Sequence, residues 1–75
     1  MSAGGTVAPM LVTANGRPVD LPEGATVAVL IERMGLGGRV VVVERNGEPV
    51  DRRSVGDTVL TDGDRCEVVR AVAGG

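Results

Sequence analysis

The chain has 75 residues and a net charge of −2, with a single cysteine and no histidine or aromatic residue. This composition predicts one small domain without an intrachain disulfide, a zinc site, or a Ser-His or Cys-His catalytic pair. With no basic patch, no stacking platform and no apolar run near the ~20 residues of a membrane helix, we expect neither nucleic acid nor a membrane as partner.

The first nine residues are small and polar, and we predict a disordered leader over 1–9 followed by a folded domain over 10–72. The leader has neither the basic start nor the apolar core of a signal peptide, so a cytoplasmic location is expected. Met10 to Ala14 is predicted to be a strand, and Asn15-Gly16 a hairpin turn. The return strand, about Arg17 to Leu21, contains a proline, which favours a sheet edge.

A short helix is predicted next. Thr26 is a suitable N-cap, and apolar residues then recur at the spacing of one helical face. These residues are Val27, Leu30, Ile31 and Met34. Gly35 ends the pattern, and a helix of two turns must pack on a sheet to be stable.

Four consecutive valines, Val40 to Val43, indicate a strand over about residues 39–45 that is apolar on both faces. The two-residue period of a strand puts Val41 and Val43 on one face and Val40 and Val42 on the other. Asn46-Gly47 predicts a second hairpin, which returns through residues 48–50.

A polar connection over 51–56 leads to the apolar anchor Thr58-Val59-Leu60 and a tight turn at Asp62-Gly63-Asp64. The last strand is expected from about Arg65 to Val72. Its period places Cys66 beside Val68 on the face that packs on the helix, where a lone cysteine is a buried hydrophobe rather than a sulfur relay.

One helix can cover only one face of a sheet, so part of the valine-rich surface is left over. Exposed apolar surface on a small domain is typical of a protein contact, and Val40, Val42 and Val69 are the candidates. The alternative is that these valines are simply scattered and half-exposed.

A flexible C-terminal tail is predicted over 73–75, where the chain reads Ala73-Gly74-Gly75. Glycine has no Cβ atom and can enter a slot too narrow for other residues, which suits delivery of a terminal carboxylate to another protein's active site. A frayed terminus or a cloning scar would give the same three residues.

The order of these segments resembles that of ThiS, the ubiquitin-like sulfur carrier of thiamin biosynthesis. The resemblance covers residues 10–75 and rests on both Asn-Gly turns, Pro-Glu-Gly-Ala-Thr-Val before the helix, Thr-Val-Leu-Thr-Asp-Gly-Asp, and the final Gly-Gly. The sequence departs from the family at Asp51-Arg52-Arg53, where the family often has a proline-led loop, and in its nine-residue leader.

The resemblance implies an α+β fold of the β-grasp type, a mixed sheet of four to five strands on one main helix, with the first and last strands parallel and central. It also implies that the chain is a carrier and not an enzyme, and that it binds no cofactor. The Gly75 carboxylate would be adenylated and converted to a thiocarboxylate, with Gly74 and Ala73 recognised as the tail.

The implied partners are a ubiquitin-activating-enzyme-like adenylyltransferase of the ThiF or MoeB type, which uses ATP and Mg²⁺, a thiazole synthase of the ThiG type, and a sulfur donor such as cysteine desulfurase. Three hypotheses stay open. The chain is a thiamin sulfur carrier; it is a sibling carrier for molybdopterin or cysteine synthesis or a protein modifier; or it is a β-grasp interaction module without tail chemistry.

Overall fold

The computed structural model describes residues 9–71, which form one mixed five-stranded sheet and one α-helix. The elements in chain order are β1 (Met10–Ala14), β2 (Arg17–Leu21), α1 (Val27–Arg33), β3 (Val41–Arg45), β4 (Glu48–Val50), a 3₁₀ turn (Arg52–Ser54) and β5 (Arg65–Arg70).

The strands lie in the order β2-β1-β5-β3-β4, so the last strand of the chain is the centre of the sheet. β5 runs parallel to β1, with Thr13 opposite Arg65, and antiparallel to β3, with Val43 opposite Val68. The predicted β-grasp arrangement, with parallel first and last strands inside the sheet, is confirmed.

Both Asn-Gly hairpins are confirmed. Asn15 and Asn46 have φ angles of 53° and 52°, and the glycines that follow them have φ angles of 82° and 85°. This left-handed pair is the type I′ turn that matches the twist of the flanking strands. Pro18 lies on β2, an edge strand, as its missing amide proton requires.

The helix packs on one face of the sheet and forms the core with it. The Thr26 hydroxyl accepts a hydrogen bond from the Val29 amide at 3.4 Å, which confirms the predicted N-cap. The core consists of the following buried side chains: Met10, Val12, Ala14, Leu21, Ala25, Val27, Leu30, Ile31, Val43, Leu60, Cys66 and Val68.

Three details differ from the sequence prediction. β3 begins at Val41 rather than near Arg39, because Gly38 adopts a turn conformation with a φ of 80°. The connection after β4 contains a 3₁₀ turn, capped by the Asp51 carboxylate, which accepts from the Arg53 amide at 2.8 Å. Of the predicted anchor, Leu60 is buried but Val59 is exposed.

The predicted leader lies outside the described residues except for Pro9. β5 ends at Arg70, before the predicted end near Val72, a residue that lies outside the described range. Within residues 9–71, no helix has the length and hydropathy needed to cross a membrane. The same range contains no cluster of three or more side chains suited to hold a metal ion.

Candidate functional site

The sheet face opposite the helix carries an exposed apolar pair at the end of β5. Val42 and Val69 lie directly opposite each other on β3 and β5, and 58 % of each residue is exposed. Val40 is exposed as well, and its carbonyl oxygen accepts a hydrogen bond from the Ala71 amide at 2.9 Å. We call Val40, Val42 and Val69 the valine surface; the structure brings these three predicted residues together.

Acidic side chains continue the same face toward the start of β5. Glu44 on β3 lies directly opposite Glu67 on β5, and both are exposed. Like charges at directly opposed positions destabilise a sheet. Because Glu44 and Glu67 are next to Val42 and Val69 in the alternation of the two strands, this carboxylate pair lies beside the valine surface.

The Asn15 side chain holds β5 near its end. Its Oδ1 accepts a hydrogen bond from the Val68 amide at 2.8 Å, and its Nδ2 donates to the Val68 carbonyl oxygen at 2.9 Å. The chain leaves the sheet at Asn15, so the carboxamide takes the place of the next peptide group of β1. Both polar groups of Val68 are thereby paired on this side of β5.

The second hairpin holds the opposite end of β5. The Asn46 Oδ1 accepts from the Arg65 amide at 2.9 Å, and its Nδ2 donates to Oδ1 of Asp64 at 3.0 Å. Oδ2 of Asp64 accepts from Nε of Arg45 and from the Thr61 amide, both at 2.8 Å.

Asp64 is the one buried charged residue within the described part of the chain. Burial alone raises the pKa of its carboxyl group, but the hydrogen bonds from Asn46, the Thr61 amide and Arg45 together outweigh burial. The pKa of Asp64 consequently lies below its ordinary value of 3.8. The carboxylate is a structural anion that ties the second hairpin to the turn before β5.

Cys66 lies in the core beside Val68 and is fully buried, which confirms its predicted orientation. Burial, reinforced by the nearby negative charge of Asp64, raises the pKa of the thiol above its ordinary 9.0. A protonated thiol without access to solvent is a poor nucleophile.

The predicted reactive end, Ala73-Gly74-Gly75, lies outside the described residues. β5 leads toward it, since Ala71 is the last residue described and follows Arg70 directly. Ala71, the last residue described, lies next to the valine surface at the end of the central strand, because its amide donates to the Val40 carbonyl oxygen.

Comparison with known proteins shows to which family the chain belongs. The ThiS family pattern matches residues 10–75. The chain belongs to the ThiS family. The resemblance deduced from the sequence is confirmed, and with it membership of the ubiquitin-like sulfur carrier group.

Solved structures of a ThiS-family protein have the same fold. The crystal structure of the thiamine biosynthesis protein ThiS from Geobacter metallireducens superposes with a TM-score of 0.71 at 35 % identity, covering 88 % of this chain and all of that one. The solution structure of the Geobacter thiamine biosynthesis protein gives a TM-score of 0.70 at 35 % identity, covering 88 % of each chain.

Two curated relatives are thiazole synthases. The protein from Paramagnetospirillum magneticum is 35 % identical, and the one from Magnetococcus marinus 36 % identical, each over 66 residues, or 88 % of this chain. The chain spans about a fifth (20 %) of the length of these two relatives. A ThiS-like region and a thiazole synthase name thus occur together in one polypeptide.

Sequence reasoning missed the side chains that fasten β5 in this ThiS-family domain. Asn15 and Asn46 were recognised as turn residues, and nothing in a single hairpin indicates that their carboxamides reach a strand tens of residues away. The sequence predicts Asp64 as part of a tight turn and does not predict its burial. The available signal for its burial was the position of Asp64 between a turn glycine, Gly63, and the predicted last strand.

Proposed function

We propose that this chain is a sulfur carrier for thiamin biosynthesis whose reactive group is the α-carboxylate of Gly75. The observation that supports this most strongly is the position of β5: the central strand of a ThiS-family fold contributes to an exposed apolar surface, and the sequence continues from this strand to Ala-Gly-Gly. The domain provides a rigid base and a recognition surface, while the chemistry takes place on the segment beyond it.

The carboxylate needs activation, since it is ionised at neutral pH and has no leaving group. An adenylyltransferase that resembles ubiquitin-activating enzymes would supply MgATP. A Gly75 carboxylate oxygen attacks the α-phosphorus, pyrophosphate leaves, and an acyl adenylate forms. ATP and Mg²⁺ belong to this partner, and the chain itself acts as a co-substrate and not as an enzyme.

Sulfur then replaces oxygen. A persulfide sulfur, supplied by a donor such as cysteine desulfurase, attacks the Gly75 carbonyl carbon and displaces AMP. A thiol then attacks the donor's sulfur in the resulting acyl disulfide. A disulfide forms between the thiol and the donor, and the thiocarboxylate is released. Since these steps require ATP and reduced thiols, the cytoplasm is the proposed location.

The acceptor that we propose is a thiazole synthase. The two curated relatives support this choice, because each carries the matching region within a protein named thiazole synthase. The same names favour thiamin biosynthesis over the molybdopterin and cysteine pathways. The valine surface is proposed as the part of the carrier that these partners contact.

Intact-mass measurement tests the proposal. The chain is incubated with ATP, Mg²⁺, the adenylyltransferase, a persulfide donor and a reducing thiol, and should gain the mass difference between one sulfur and one oxygen atom, located by fragmentation at Gly75. Omission of ATP is the control. Unchanged mass in the complete reaction would overturn the carrier function, and sulfur delivery to molybdopterin synthase but not to thiazole synthase would overturn the proposed pathway.

A further inference from the structure

We propose that Asn15 is a positioning residue for the activation of the tail: its carboxamide fixes the end of β5 from which the segment to Gly75 continues. The inference rests on the proposed carrier function and assigns part of it to a residue far away in the sequence.

The hydrogen-bond ladder between β1 and β5 shows what the side chain does. The Thr13 and Asn15 amides donate to the carbonyl oxygens of Asp64 and Cys66, both at 2.9 Å. At Asn15 the backbone turns away with a φ of 53°, and the carboxamide then makes the next two hydrogen bonds, to Val68. The ladder is thus extended by one peptide equivalent toward the end of β5.

The other side of β5 is held by backbone pairing. Val42 lies opposite Val69, and the Ala71 amide donates to the Val40 carbonyl oxygen. Among the described residues, the hydrogen bonds that reach β5 beyond Cys66 from the β1–β2 hairpin come from the Asn15 side chain. Without the Asn15 carboxamide, the end of β5 is hydrogen-bonded only on the side that faces β3.

The position of this end matters because the reactive carboxylate is close in sequence. The four residues from Ala71 to Gly75 span at most about 14 Å. A reacting carboxylate must approach its target to roughly 3–3.5 Å, and a misplacement of about 1 Å can cost about a hundredfold in rate. An end of β5 that varies in direction would move the tail relative to the valine surface, which docks on the partner.

The variant Asn15→Gly tests this role. Glycine keeps the left-handed turn and removes only the carboxamide. The matched control is Asn46→Gly, which removes the same group from the same position of the other hairpin, where the carboxamide binds Arg65 and Asp64 at the start of β5. Both variants should lower the melting temperature, and hydrogen exchange should show faster exchange of the Val68 amide in Asn15→Gly alone.

The decisive readout is ATP–pyrophosphate exchange with the adenylyltransferase, measured below both melting temperatures. We expect Asn15→Gly to lower kcat about tenfold, the effect of losing one to two hydrogen bonds, with KM unchanged because the valine surface remains intact. Asn46→Gly should keep the wild-type kcat. A normal kcat for Asn15→Gly, or an equal loss in both variants, would overturn the inference while leaving the carrier function standing. A wild-type chain without exchange would overturn both.

Discussion

Val42 and Val69 face each other across β3 and β5, on the side of the sheet that the helix leaves uncovered. If this pair docks on the adenylyltransferase, a carboxylate placed there must lose its water in the complex. We expect Val42→Asp and Val69→Asp to weaken binding on the order of a hundredfold, measured by titration calorimetry. The fold should persist, because neither side chain belongs to the core.

Val59→Asp is the matched control for this change. Val59 is exposed to a similar extent, 54 %, but lies outside the five strands, in a single bridge to Thr26. It should bind like the wild type. Unchanged affinity in both sheet variants would show that the partner contacts another surface.

The tail has a length requirement if Gly75 is the reactive residue. Deleting Gly75 withdraws the carboxylate by about 3.5 Å, and one added alanine displaces it by the same distance, so both should abolish ATP–pyrophosphate exchange. Gly75→Ala should impair exchange through the added Cβ atom. Melting temperatures should stay the same, since the buried core residues within 9–71 all precede Val69. Wild-type exchange by the shortened and the lengthened chain would exclude the tail as the reactive arm.

Cys66 should be dispensable for sulfur transfer. Cys66→Ser buries a hydroxyl group in an apolar environment and should lower the free energy of unfolding by about 1–3 kcal/mol, as measured in urea. Cys66→Ala removes the sulfur without adding a polar atom and serves as the control. Both variants should still form the thiocarboxylate, and a folded variant that accepts no sulfur would assign a chemical role to the thiol.

Asp64 should make the stability of the domain depend on acid. Its pKa is lower in the folded than in the unfolded chain, so the unfolded state binds more protons as the pH falls. The contribution is complete above the ordinary pKa of 3.8 and is lost as the pH drops through the lower, folded value. Urea titrations from neutral pH to about pH 2 should show this decline.

Asp64→Asn isolates the effect. The amide cannot accept all the hydrogen bonds that converge on the carboxylate, so we expect a loss of about 1.5–3 kcal/mol at neutral pH. The acid-dependent decline should be smaller than in the wild type. Asp57→Asn, at an exposed position, should follow the wild type. A decline in Asp64→Asn as steep as that of the wild type would assign the acid sensitivity to other groups.

Most of the fold could be predicted because local signals agreed with one another. The Asn-Gly turns set two hairpins, the spacing of Val27, Leu30 and Ile31 set a helix face, and the alternation along the valine strand separated core from surface. The 3₁₀ turn at Arg52–Ser54 was missed because it depends on the Asp51 cap rather than on an apolar period. The start of β3 was placed too early because β propensity does not indicate the turn at Gly38.

The candidate site was predictable where it depends on exposure and not where it depends on long-range hydrogen bonds. An apolar strand in a one-helix fold must leave valines uncovered, and Val40, Val42 and Val69 are uncovered. The contact of Asn15 with Val68 joins residues 53 positions apart. It follows from the pairing of β1 with β5, which no local pattern specifies.

The central position of β5 also governs when the domain can fold during synthesis. The two hairpins lie on opposite sides of β5 and pair with it rather than with each other. A nascent chain that ends before Arg65 has no strand to join them, and its core lacks Cys66 and Val68. A ribosome must therefore translate through β5 before a protease-resistant domain exists, and products that end earlier remain open to degradation.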